Sequence, residues 1–368
     1  MNEVRLGVIG CGGMAQGHMG YFKEIPRLKF TAACDTFAAN VEKVTQAHGV
    51  TGFADADKML DSGLVDAVLI GTPHYFHPQY SIAALTRGIH VLTEKPVSVT
   101  AKAAAEVNDV AAKHPKALYA AMFQMRTEPR WKKIKSLISS GSLGAIQRMS
   151  WTATNWLRTQ AYYDSGSWRA TWKGEGGGVL INQCPHNLDL LCWLLGTPTR
   201  VTADVSLGKF HKIEVEDDVT ALLKFANGST GVFIASTGEA PGTDHVEIVG
   251  DRGRITINTG QNGFDLVQYE ESVNHFIRTT KQAWSMPQGS ASTVTFGGQG
   301  GHKFLTQNFV EAILDGVPLI APGAEGLASI ELANAIIMSG LTNQSVNIPT
   351  DRAGYEKLLA ELIAKSGR

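Results

Sequence analysis

A chain of 368 residues is too long for one ordinary hydrophobic core and suits two domains. Hydrophobic residues make up 43% and charged residues 18%, an ordinary globular composition with enough apolar side chains for two cores. The formal net charge of -1 supplies no field to attract nucleic acid or an anionic membrane, and the cluster Arg130, Lys132, Lys133 and Lys135 reads as a solvated helix face.

The chain opens on a strand pattern, Val4 to Ile9, with neither the basic start nor the cleavage site of a signal peptide. A helix follows over Met14 to Glu24, then a strand at Lys29 to Cys34 and a helix at Ala39 to His48. A short piece at Thr51 to Phe53 leads to a helix near Asp55 to Leu60. Val65 to Ile70 is an apolar strand, Pro78 to Arg87 helical, His90 to Thr93 a strand, Thr100 to Lys113 helical, and Ala117 to Met122 a strand. Apolar strands without polar alternation are buried on both faces, so residues 1–123 are expected to form a doubly wound, parallel α/β domain of about six strands.

After Met122 the rhythm changes. A helix near Pro129 to Ser139 ends at Gly141, and Ile146 to Trp156 is a strand with polar alternation. The stretch Leu157 to Gly177 is irregular and rich in Trp, Tyr, Arg and Gly, which suits a loop over a site. A helix is expected over Val179 to Leu195, followed by strands at Val201 to Leu207, Val219 to Phe225, Ser229 to Ser236, His245 to Val249, Arg254 to Ile257 and Gly263 to Tyr269. Turn residues such as Asn227-Gly228 are hairpin chemistry, so residues 124–368 read as an α+β domain with a large, mostly antiparallel open sheet. Helices near Lys303 to Leu314, Glu325 to Leu341 and Tyr355 to Ala364 close the chain. No run of about 18 apolar residues exists to span a membrane. Cys11, Cys34, Cys184 and Cys192 form no CxxC pair, so reduced thiols in a cytoplasm are expected.

The string Gly10-Cys11-Gly12-Gly13-Met14-Ala15 is G-x-G-x-x-A between a strand and a helix. Gly10 permits the tight turn, Gly12 lets the backbone approach a pyrophosphate, and Ala15 allows close helix–sheet packing, with Gly13 and Met14 beside the phosphates. Asp35 lies twenty residues past Ala15 at the end of the second strand, where a carboxylate binds ribose hydroxyls. No Arg or Lys occurs from Thr36 to Val41, which favours NAD over NADP. The turn Thr72-Pro73-His74, with His77 just beyond, follows an apolar strand and should border the cofactor.

The next strand ends in Thr93-Glu94-Lys95-Pro96, and a second block runs Gly176-Gly177-Gly178-Val179-Leu180-Ile181-Asn182-Gln183-Cys184-Pro185-His186-Asn187-Leu188-Asp189. With the Rossmann opening, these resemble the glucose-fructose oxidoreductase / inositol dehydrogenase / rhizopine catabolism (Gfo/Idh/MocA) family, from the first strand to the C-terminal helices. The resemblance implies NAD(P)-dependent redox chemistry on sugars and polyols, and a second domain whose open sheet builds homodimers or homotetramers. It also implies a cis bond before Pro96, cofactor contacts at Glu94, Lys95, Trp168 and Arg169, and a role for Gln124 beside cofactor or substrate. Many members carry Asp where this chain has Asn182, so an Asp-based proton relay is not expected here.

Lys95, at the carboxyl end of a strand, would reach a bound substrate. Asn182, His186 and Asp189 are spaced i, i+4 and i+7, one face of the expected helix. Oxidising a secondary alcohol needs hydride transfer to nicotinamide and removal of the hydroxyl proton. Lys95, His186 and Asn182 are the catalytic candidates, His186 as principal base and Lys95 polarising the oxygen or relaying the proton, with the two roles exchangeable. Trp156, Arg158, Tyr163 and Trp172, with Lys95, Asn182 and His186, would shape a substrate pocket suited to a glucose-like pyranose or glucoside. His302 is a weaker substrate-side candidate. Three rival readings use the same residues: an NAD-assisted glycoside-cleaving enzyme or an inositol dehydrogenase, a dinucleotide sensor without turnover, and a zinc enzyme using His74, His77, Cys184, His186 or His302, none at a recognised ligand spacing.

Overall fold

The computed structural model describes residues 2–367. Its first half alternates strand and helix in the order β1 (Val4–Ile9), α1 (Gly13–Met19), β2 (Leu28–Cys34), α2 (Ala38–His48), β3 (Thr51–Phe53), α3 (Ala56–Leu60), β4 (Ala67–Ile70), α4 (His77–Thr86), β5 (His90–Thr93), α5 (Ala101–Lys113) and β6 (Tyr119–Ala121). The six strands pair in parallel in the order β3-β2-β1-β4-β5-β6. All four residues of β4 are buried, as a strand covered by helices on both faces requires. The order reverses between β1 and β4, and a crevice opens at their carboxyl ends. The helix expected over Met14 to Glu24 ends at Met19, with Phe22–Glu24 as a separate 3₁₀ turn. Gly17 and Gly20 lower helix propensity across that break.

The second half contains α6 (Pro129–Ser139), β7 (Ile146–Ala153), α7 (Gln160–Asp164), α8 (Pro185–Leu195), β8 (Arg200–Leu207), β9 (Glu216–Lys224), β10 (Thr230–Ser236), β11 (Asp244–Gly250), β12 (Gly253–Ile257), β13 (Gly263–Tyr269), α9 (Val273–Thr279), β14 (Gly289–Thr295), α10 (His302–Asp315), α11 (Gly326–Thr342), β15 (Val346–Asn347) and α12 (Arg352–Lys365). The sheet order is β14-β13-β12-β11-β7-β10-β9-β8-β15, antiparallel except where β10 runs parallel to β7. Burial alternates along β9, so one face packs into the core and the other is uncovered. Four elements carry little sequence signal: α7 within the irregular stretch, α9, the small and polar β14, and the two-residue β15.

The helix expected from Val179 begins only at Pro185, which occupies its first turn. Residues 176–184 instead form turns folded onto β9: Val179 N–H donates to Glu216 O (2.9 Å) and Leu180 N–H to Glu216 Oε1 (3.1 Å). A Cβ on Gly178 would lie 1.9 Å from Glu216 O, so no side chain fits there. Asn182 therefore precedes the helix that carries His186 and Asp189.

The two halves share more than a linker. Leu305, Phe309 and Val310 of α10 pack into the core under the parallel sheet, crossing back over the 123/124 boundary. Arg126, just past β6, makes a bidentate ion pair with Asp189 of α8 (2.8 and 2.6 Å), both side chains 2% exposed. It also bonds Glu325 at the start of α11.

Candidate active site

Gly10 sits at φ +87°, and a Cβ there would meet the Gly71 backbone at 2.8 Å. Gly12 and Gly13 face open space, and Met14 beside them is exposed. Ala15 is fully buried against Gly71. Asp35 ties this turn to β2: its carboxylate accepts from Cys11 N–H (2.8 Å), Phe37 N–H (2.8 Å) and Asn40 Nδ2 (3.1 Å). The resulting cradle, floored by glycine and rimmed by a carboxylate, fits a dinucleotide's phosphates and ribose.

Across the crevice stands the turn after β4. Pro73 is exposed, and the buried Thr72 Oγ1 has no partner, as suits a group awaiting a ligand. His74 and His77, expected at the cofactor, are both tied to the protein itself. His74 is buried with Nδ1 on Glu175 O (3.2 Å) and its ring against Trp168. His77 sets its nitrogens on Pro96 O (2.6 Å) and Thr72 O (2.8 Å), which leaves neither free. Both brace the turn from behind.

Glu94 is also turned inward. Its Oε1 lies 2.6 Å from His18 Nε2 and its Oε2 accepts from Lys95 N–H (3.1 Å), while His18 Nδ1 bonds Tyr21 Oη. This pairing holds the Glu94 carboxyl near 2 against the opposing effect of burial. His18, Glu94 and His302 are the one group among the described residues whose ligand atoms approach metal-binding spacing. Both His18 nitrogens are already engaged there. His74, His77, Cys184 and His186 do not join such a group.

Lys95 lies just past the end of β5 and is followed by a cis Lys95–Pro96 bond, as expected from the resemblance. Its Nζ donates to the backbone carbonyl of Asn182 (2.6 Å). Burial lowers the pKa of Lys95, opposed by the charges of Glu94 and Glu175. His186, on the first turn of α8, is 7% exposed, and burial followed by the Lys95 charge pushes it down to about 3. Its Nε2 meets Gln124 Nε2 at 3.2 Å, while His186 Nδ1 and Gln124 Oε1 have no partner. With the amide donating to Nε2, the proton of the neutral ring resides on Nδ1, which points at no protein group.

The irregular stretch supplies the wall. Arg158 stacks on Trp156 (5.7 Å) and Tyr162 (5.0 Å), and Arg169 on Tyr162 (4.7 Å) and Trp168 (4.6 Å). Tyr162 Oη accepts from Arg169 (3.0 Å) and Asn182 Nδ2 (3.3 Å). Trp156 Nε1 and Arg158 Nε are buried without partners. Tyr163 and Trp172, expected at the substrate, lie in the core at 2% exposure each, and Tyr163 Oη donates to Thr237 Oγ1 (3.0 Å). On α7 a one-residue step turns the side chain by roughly 100°, so Tyr162 takes the pocket face and Tyr163 the core.

Glu175 has no motif to announce it. It is 1% exposed, its Oε2 accepts from Ala170 N–H (2.6 Å) and its Oε1 from Asn182 Nδ2. Burial raises its pKa to about 7. Among the buried polar atoms without a partner, those of Thr72, Gln124, Trp156, Arg158 and His186 lie on residues expected to meet cofactor or substrate, while others, such as Trp131 Nε1 and Tyr355 Oη, lie in the core.

A family model described as an oxidoreductase family with an NAD-binding Rossmann fold matches residues 4–122, and the GFO/IDH/MocA C-terminal domain model matches residues 131–256. The rhizopine catabolism protein MocA of Rhizobium meliloti is 31% identical over 235 residues, spanning 63% of this chain and 71% of that protein. The D-glucoside 3-dehydrogenase of Escherichia coli (strain K12) is 26% identical over 342 residues, spanning 85% of this chain and 95% of that protein. Among solved structures, the WlbA dehydrogenase from Bordetella pertussis in complex with NADH and UDP-GlcNAcA matches with a TM-score of 0.79 at 25% identity, covering 95% of this chain and 100% of that one.

Proposed function

The chain belongs to the Gfo/Idh/MocA family of NAD-binding oxidoreductases, and on that premise we propose that it oxidises a secondary alcohol of a sugar, glycoside or polyol, with a glucose-like pyranoside as the favoured substrate. The observation that carries this reading is the placement of Lys95, its Nζ on Asn182 O, close enough to His186 beside Gln124 for the Lys95 charge to lower the His186 pKa. NAD held over the Gly10–Ala15 turn and Asp35 would supply the hydride acceptor for the carbon that bears the hydroxyl. Lys95, its pKa lowered by burial, takes the hydroxyl proton on Nζ and then donates to Asn182 O. His186, neutral at working pH, donates from Nδ1–H to the same oxygen. This exchanges the roles first assigned to the pair, because a histidine pushed down to about 3 is a poor proton acceptor. The Tyr162, Trp156 and Trp168 rings with Arg158 and Arg169 form an aromatic, cationic wall for a pyranose.

Asp35 repels a 2′-phosphate, so NAD is preferred to NADP. We also infer that copies associate through the uncovered face of the nine-stranded sheet, where Leu222 is 57% exposed, which the solution mass by light scattering tests. Four unpaired, buried cysteines suit a reducing cytoplasm, and no helix among the described residues is long and apolar enough to cross a membrane.

The decisive test is a panel of sugars, glucosides and inositols with NAD and NADP, read as NADH or NADPH formation. Turnover with NAD is expected, and Lys95→Ala should cost on the order of 10²–10⁴-fold in kcat while NADH still binds. Near-normal turnover of Lys95→Ala would refute the assignment. Aglycone release without net NADH would point to the glycoside-cleaving reading instead.

A further inference from the structure

Glu175 is a buried carboxylate that the mechanism above does not use. Its two oxygens are spent on two segments: Oε2 on Ala170 N–H, at the end of the Trp168-Arg169 turn, and Oε1 on Asn182 Nδ2. Ala170 sits at φ +51°, a left-handed conformation unusual for alanine, and its amide is aimed at the carboxylate. Asn182 in turn presents its backbone carbonyl to Lys95 Nζ at 2.6 Å. Asn182 therefore bonds Glu175 through its side-chain amide and Lys95 through its backbone carbonyl, so the carboxylate holds the residue that holds Lys95. Asn182 cannot carry charge, so within this chain the negative charge belongs to Glu175.

We propose that Glu175 is a positioning residue that acts through Asn182 to aim Lys95 and, by its negative charge, sets the proton affinity of Lys95 for the hydroxyl proton. The proposal rests on Lys95 being the proton acceptor. The charged and titratable groups around the pair are Glu94, His77, Arg158, Cys184, His186 and His302 on the Lys95 side, Arg169, Tyr163 and Glu216 on the Glu175 side, and His74 beside both. Glu94 is already paired with His18. Burial raises the Glu175 carboxyl to about 7, so its charge changes within the working pH range.

The test compares Glu175→Gln, Asn182→Asp and the double variant Glu175→Gln/Asn182→Asp with the parent protein. The acid limb of kcat/KM against pH reports protonation of Lys95. Above about pH 7, where Glu175 is ionised, its charge raises the Lys95 pKa, so removing it should move this limb to lower pH. Asn182→Asp should move it to higher pH, and the double variant should return it toward the parent position. A residue that merely supports the fold would lower the rate without moving the limb, so an unmoved limb in Glu175→Gln overturns the proposal. Should Glu175→Gln fail to fold, Glu175→Asp decides: its shorter side chain withdraws the carboxylate from Asn182 and should move the limb the same way by less, and an unmoved limb overturns the proposal. Competitive acetylation of Lys95 by acetic anhydride across pH, read by mass spectrometry, measures the same pKa without turnover. If no sugar is oxidised but the acetylation midpoint shifts in this order, the functional reading fails and the charge coupling stands. An unshifted midpoint sinks the coupling whatever the substrate.

Discussion

Gln124 sets which nitrogen of His186 carries the ring proton. The amide side chain has a donor end and an acceptor end, and only the donor end meets Nε2 in the observed arrangement. That leaves Nδ1–H as the buried, unpartnered group, a donor suited to polarising an oxygen. Gln124→Leu removes the group that sets this tautomer while leaving the ring in place. A lost hydrogen bond of about 1–1.5 kcal/mol corresponds to roughly tenfold in rate. The expected result is a fall of that size in kcat with NADH affinity nearly unchanged, measured by steady-state kinetics and fluorescence titration. An equal loss in NADH affinity would place Gln124 at the cofactor instead. Lys95 and His186 are legible in the sequence because short motifs flank them. Glu175 and Tyr162 are not, since a lone Glu before a glycine run and one tyrosine of an adjacent pair gain meaning only from what they touch.

At the scale of elements, the glycine turn between residues 176 and 184 depends on β9. Glu216, the first residue of that strand, is fully buried, accepts from Leu180 N–H through Oε1 and leaves Oε2 without a partner. Burial raises its pKa to about 7, above the ordinary value of 4.5. The folded chain therefore binds more protons at this site than the unfolded chain between those two values. Stability associated with Glu216 is present at low pH and falls as pH rises through that window. Glu216→Gln removes the dependence. Its melting temperature relative to the parent should climb from pH 5 to pH 8, and a difference that stays flat or declines would contradict the sign. The apparent helix from Val179 misleads for a related reason: apolar spacing alone does not reveal that Glu216 holds the backbone of this turn, nor that Pro185 is where helical structure can begin.

At the scale of the molecule, the two halves are joined through a buried charge. Arg126 leaves the end of the parallel sheet, stacks on Trp193 at 5.4 Å and pairs with Asp189 inside the second half. Burial raises the Asp189 carboxyl to about 6 even with the guanidinium beside it. Arg126→Met would strand that carboxylate, at a cost of about 3–5 kcal/mol, whereas Arg126→Met with Asp189→Asn should recover part of it. Urea unfolding of the three proteins measures the difference, and a single variant as stable as the parent would show that the pair contributes nothing. The sequence by itself determined the alternating half, the glycine turn with Asp35, and the positions of Lys95 and His186, because these follow from hydrophobic period, backbone sterics and local motifs. Only the tertiary structure decided that Tyr162 faces the pocket in place of Tyr163, that His77 and Glu94 are spent on internal hydrogen bonds, and that Glu175 stands behind Asn182. Each of those depends on groups distant in the chain being brought within hydrogen-bonding reach, where burial and neighbouring charge decide what a side chain can do.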